Sequence, residues 1–189
     1  MSQERKDFKL GRNLLRTMMI NRRAVWKLYD QNKKLLGEGD SSTFEEAKKD
    51  ASELISTKEA EAFAARKNGI PSSKEYAEAL NAVVSSKSKY WDILKAHFRA
   101  PQRMMTSAEL ADAAGYSHFS AANSHYGRLG HEVADFLNFT PPGRYDNGDV
   151  LWITALVTHN PNYKEEDTGH WKHEMRPELA EALELLGNI

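Results

Sequence analysis

Apolar residues recur every three to four positions through most of this chain and alternate only in short stretches, which predicts a mainly helical protein with small β-hairpins. From Ala24, the strand-favouring Val25, Trp26, Leu28 and Tyr29 run into a turn at Asp30 to Lys33 and on to Leu35 and Leu36, a hairpin that Gly37 and Gly39 end. Ser42 or Thr43 caps the next helix, with Glu45 and Glu46 in its first turn and Phe44, Ala47, Ala51, Leu54 and Ile55 on one face; it stops near Ser56 or Thr57. A second helix from Lys58 to Lys67 is broken by Asn68-Gly69, and Pro71 reopens the chain into a third from Ser73 to Ser85.

The polar run Ser85 to Lys89 separates these elements from a helix over residues 90–100, on which Trp91, Leu94 and Phe98 share a face with Ile93 and His97 beside it. Pro101 ends that helix. A boundary at the polar run divides the chain into residues 1–85, a basic arm with a hairpin and helices, and residues 90–189. In the second part, Met104 to Leu137 predicts two helices around a glycine turn. Thr106 or Ser107 caps the first, Leu110, Ala111 and Ala114 form its apolar face, and Gly115 permits the turn. The second helix starts at Ser117 or Ser120. Asp146-Asn147-Gly148 marks a further turn, Val150 to Thr158 reads as a strand by its β-branched and aromatic content, and Gly169 to Met175 reads as its partner. Pro177 opens and Gly187 closes a last amphipathic helix. The whole is an α+β chain whose C-terminal domain is winged helix-turn-helix-like, with the hairpin as candidate wing.

A helix-turn-helix reads nucleic acid through its second helix. Here that helix, over residues 120–129, carries Ser120, Asn123, Ser124, Tyr126 and Arg128, while Ser117 and His118 at its start suit a phosphate. Asn pairs bidentately with adenine, Arg with guanine or phosphate, and Tyr116 or Tyr126 can stack on an unpaired base. A helix pair that only packs a core has the same layout but needs none of these side chains. Trp91, Trp152 and Trp171 fall at core spacing, and Arg176 is expected to pair with Glu178 or Glu181.

Charge sharpens this picture. The net charge is -1, yet residues 1–34 carry ten Lys/Arg against three Asp/Glu, and residues 81–131 carry six against three. Residues 132–189 carry four against eleven. Cations dominate affinity for phosphates, so Arg22 and Arg23, with the other cations of residues 5–34, are expected to clamp a nucleic-acid backbone while the acidic tail faces away. The acidic hairpin tip, Glu165-Glu166-Asp167, argues against a wing lying on phosphates.

A chain of 189 residues, 40% hydrophobic and of mean hydropathy -0.67, fits one domain or two small ones in a soluble, cytoplasmic protein. No apolar run nears the roughly 18 to 20 residues that span a bilayer, the basic N-terminus lacks a secretory apolar stretch, and no membrane partner is expected. Without cysteine, disulfides and thiolate metal sites are excluded. His159, Asp167, His170 and His173 fall on one predicted hairpin, but the odd spacing of His170 and His173 turns them to opposite strand faces. No phosphate-binding glycine loop, nucleophile elbow, zinc-protease motif or paired-carboxylate motif occurs, so no cofactor and no independent enzyme are expected.

Three stretches carry a resemblance: residues 90–101, residues 106–130 with AAGY and AAN-x-x-YGRLG, and residues 170–187 with W-x-x-x-MRPE-x-A-x-AL. Together, over Tyr90 to Gly187, they resemble a domain that precedes HNH nuclease domains in McrA-like, modification-dependent restriction endonucleases and related bacterial and phage proteins. The resemblance implies an accessory or recognition role on nucleic acid. The Asp-His or His-His pair that an HNH metal site needs is missing. The expectation is a DNA-binding module linked to restriction or its regulation. The alternatives are an interaction or inhibitor protein of the phage-host conflict, docking a protein partner through its acidic C-terminal third, and a divalent-metal nuclease.

Overall fold

Burial alternates residue by residue over Asn13 to Met18 and again over Arg23 to Tyr29, and this alternation builds a sheet. The computed structural model describes residues 4–85, 88–158 and 172–187. Strands β1 (Arg5–Leu10), β2 (Asn13–Ile20), β3 (Arg23–Tyr29) and β4 (Leu35–Ser41) pair antiparallel in chain order. Helix α1 (Phe44–Ala65) covers one face, packing Phe44, Ala47 and Ala51 on Leu15, Ala24, Trp26 and Leu28. The expected basic arm is therefore two further strands of this sheet. They escape a periodicity reading because β1 is almost wholly exposed and alternates charged residues with Phe8 and Leu10.

Three other expectations are corrected in this unit. Gly37 and Gly39 do not end the hairpin; they lie inside β4, where a Cβ on Gly37 would strike the Leu54 side chain and one on Gly39 would sit 2.7 Å from the Trp26 indole. The two helices over 43–67 are one. Its hydroxyl residues do not break it, because Ser52 and Thr57 donate to the carbonyls of Lys48 and Glu53 one turn back. The third correction concerns charge. Lys27 pairs with Glu38 at 3.2 Å and Arg23 pairs with Asp40, so acids of β4 offset cations of β3 that a linear count assigns to a basic segment.

Residues 66–189 form the second compact unit, and residues 1–65 the first. The boundary expected at residue 85 falls inside a core, since Tyr76, Ala79 and Leu80 of α2 (Ser73–Val83) are buried with Leu94, Leu129 and Leu183. This core also takes α3 (Lys89–Arg99), α4 (Ser107–Ala113), α5 (Phe119–Phe136) and α6 (Pro177–Leu186). A small antiparallel sheet lies beside it in the order β5 (Met104–Thr106), β7 (Lys172–Met175), β6 (Val157–Thr158). Among the described residues the chain is thus α+β, with six helices and two small sheets. None of those helices is long and apolar enough to cross a membrane.

The strand expected over Val150 to Thr158 shrinks to its last two residues. Trp152–Ala155 instead make a 3-10 turn, because side chains take carbonyls that a neighbouring strand would need. Arg176, itself buried, donates to the Thr154 carbonyl from Nε at 2.9 Å and Nη2 at 2.7 Å, and the Tyr76 hydroxyl donates to the Ala155 carbonyl. Arg176 is structural as expected, with a carbonyl in place of the expected glutamate. The 3-10 turn packs on α5 at Gly130, where a Cβ would collide with the Trp152 carbonyl. The expected partner strand is present from Lys172, paired Val157 to Met175 and Thr158 to Glu174; its first residues, Trp171 and the hairpin tip lie outside the described residues.

Candidate nucleic-acid interface

Local signals set the helix pair as expected. Thr106 Oγ1 accepts from the Glu109 amide at 3.2 Å while the Glu109 carboxylate accepts from the Thr106 amide at 2.6 Å, a reciprocal cap that starts α4. Gly115, at φ +67°, turns the chain, and the Tyr116 amide closes back on the Ala111 carbonyl at 2.9 Å. Helix α5 then buries Ala122, Tyr126, Leu129, Gly130 and Val133 on its inner face. Ser117, His118, Ser120, Asn123, Ser124 and Arg128 are all exposed, the first two just ahead of the helix and the others on its first three turns. The amides at the start of α5 receive no side-chain cap from His118.

Tyr126 does not belong to that outer face. Its ring is fully buried and its hydroxyl lies 2.9 Å from His97 Nδ1, while His97 Nε2 lies 2.8 Å from the His173 carbonyl. A carbonyl only accepts, so Nε2 carries the proton, and Nδ1 accepts from the Tyr126 hydroxyl. Both nitrogens of a neutral imidazole are satisfied. Burial outweighs the His173 carbonyl and pulls the His97 pKa down to about 4; burial likewise pushes the Tyr126 phenol above its usual range. The i, i+4 spacing from Ala122 and to Gly130 puts Tyr126 on the apolar stripe, which a reading by residue type overlooks.

Tyr116, the other stacking candidate, is covered: His125 stacks on it at 5.0 Å and Lys89 Nζ sits 4.7 Å from its ring centre. Trp91 is core as expected, and Trp152 is half-buried against the His131 ring at 4.1 Å. Arg22 and Arg23 belong to the first unit. Arg22 is exposed in the β2–β3 turn, where it and Asn21 both adopt positive φ, and Arg23 pairs with Asp40.

The outer face of α5 borders a cleft of about 720 Å³. Asn123, Ser124 and Gly127 form its helical side, the loop Arg144 to Asp146 and the 3-10 turn form another, and Lys172 and His173 of β7 contribute from the small sheet. The loop is closed by its own hydrogen bonds. Its Tyr145 amide donates to the Asp149 carbonyl at 2.8 Å, Arg144 Nη1 donates to the carbonyls of Pro141 and Gly143, and Gly148 takes φ +87° in the expected turn. Tyr145 stands out from it, 56% exposed, and Phe119, also at the cleft, is 49% exposed. The sequence reading passes over both rings, although each carries a signal: Tyr145 is an aromatic between two turn motifs, and Phe119 extends the Ala122–Tyr126 stripe one turn towards the helix start, where it is left half exposed.

At the base of the cleft, Ser107 Oγ donates to Asn123 Oδ1 at 2.7 Å and lies 3.0 Å from His173 Nε2. With its proton on Asn123, Ser107 accepts from Nε2–H, so His173 offers it no lone pair and the pair is not poised as nucleophile and base. The bond fixes the Asn123 amide, leaving its Nδ2 to donate outward and a second lone pair on Oδ1. His159, Asp167 and His170 lie outside the described residues, and among the described residues no cluster of three or more His, Asp or Glu side chains is placed to hold a metal. Compared with family models, curated proteins and solved structures, the chain matches none.

Proposed function

We propose that the second unit is a DNA-binding module, with α4, the Gly115 turn and α5 acting as a helix-turn-helix and with a role in restriction or its regulation. The observation that supports this most is the outer face of α5, where Ser120, Asn123, Ser124 and Arg128 stand exposed on a helix whose inner face is already satisfied by the core. Asn123, pre-oriented by Ser107, reads a base edge; Arg128 grips guanine or phosphate; Ser117 and His118 place a phosphate on the uncapped start of α5. The small sheet braces the helices from beneath through the Met175 and Thr106 positions, both buried.

The test is affinity for a labelled duplex across a salt series, comparing the intact chain with Asn123→Ala/Arg128→Ala. The expected result is binding that weakens steeply with salt, with the double variant at least roughly tenfold weaker and its salt slope shallower by about one. A folded protein that binds no duplex at low salt overturns the reading.

A further inference from the structure

Among the described residues, nothing requires glycine at position 127. It lies in the interior of α5, where glycine is disfavoured relative to alanine, its φ is not positive, and a Cβ built on it meets no atom of the described residues within 4 Å. It lines the cleft. Three residues on, Gly130 shows what a packing requirement looks like, since its Cβ would run into the Trp152 backbone. The missing side chain at Gly127 keeps volume open in the cleft.

We propose that this cleft receives a single nucleobase taken out of its stack, which rests on the DNA-binding reading above. The chemistry of the walls selects that occupant. Tyr145, 56% exposed, presents an aromatic ring at the rim, and every base has a π-face for such a ring to hold. Asn123, fixed by the buried Ser107 hydroxyl, offers its Nδ2 donor and the second lone pair of Oδ1, a donor and acceptor set that suits the edge of a heterocycle. A phosphate would leave the Tyr145 ring unused, and a paired base keeps its faces inside the duplex.

The test compares a short duplex containing one unpaired adenine with its fully paired counterpart at fixed salt. The intact chain is expected to favour the unpaired-adenine duplex by roughly tenfold, the scale of one base stacked on an aromatic ring. Gly127→Leu, which fills the cleft, and Tyr145→Ala, which removes a wall, are each expected to bring that ratio to about one. Gly127→Ala is expected to melt a few degrees higher than the intact chain, which shows that the glycine does not serve folding. A ratio of one in the intact chain, or a ratio kept in both cleft variants, overturns the assignment while salt-sensitive binding of both duplexes leaves the DNA reading standing. Failure to bind either duplex removes both.

Discussion

In the first unit, both glycines inside β4 face a neighbour that fills the missing side chain's place, Leu54 at Gly37 and the Trp26 indole at Gly39. Helix α5 of the second unit holds one glycine of the same kind, Gly130, and one of the opposite kind, Gly127, which borders the cleft with no atom of the described residues in its side chain's place. The exposed charges of the two units differ in a similar way. Lys27 and Arg23 on the first sheet have Glu38 and Asp40 across the strand, with Lys27 held protonated more firmly by its Glu38 hydrogen bond. Along the outer face of α5, Ser120, Asn123, Ser124 and Arg128 project from a helix with no acidic residue in its first turn. Departures from the best-packing residue that a neighbour explains belong to folding. Those that no neighbour explains, clustered at one cleft, point to a ligand.

The sharpest way to break this contrast is to add one carbon at each α5 glycine. Gly130→Ala forces a methyl group into the Trp152 backbone and should cost roughly 3 kcal/mol in a denaturant melt, because backbone cannot give way as a flexible side chain does. A Gly130→Ala chain as stable as the parent would show that the close approach is not a constraint. Acid separates the units next. Residues 1–65 contain no histidine, whereas the second unit buries a neutral His97 whose pKa is pulled to about 4 from an ordinary 6.5. The unfolded chain takes up that proton first as pH falls, so stability is full above pH 6.5 and is lost progressively down to about pH 4, by on the order of 3 kcal/mol. His97→Gln should flatten that window in a pH series of melts; an unchanged slope would remove His97 as its cause. The smallest effect has the opposite sign, since Gly127→Ala should stabilise by about 1 kcal/mol.

Sequence made the second unit's helices legible because their signals are local. The Thr106–Glu109 cap, the Gly115 and Gly187 turns and the Pro177 start each depend on residues within one turn of the chain. The Val150 to Thr158 strand misled because its fate is decided by Arg176 and Tyr76, far away in sequence, which take the carbonyls of Thr154 and Ala155. In the first unit β1 was hidden by its exposure and β4 by its glycines, whose neighbours only the fold reveals. The candidate site divides likewise. Asn123, Ser124 and Arg128 are accessible from helical position and residue type, but residue type alone points Tyr126 outward although its spacing places it on the buried stripe. Tyr145, Lys172 and His173 reach the cleft from a loop and a strand that no local pattern connects to α5.

The most direct measurement is an amide chemical-shift map of the intact chain titrated with a short DNA duplex. Shifts concentrated at residues 117–128 and 144–146, with the strands over residues 5–41 unmoved, are the predicted result. Shifts confined to that first sheet, or no shifts at all at low salt, would contradict the assignment of DNA binding to the cleft face of α5.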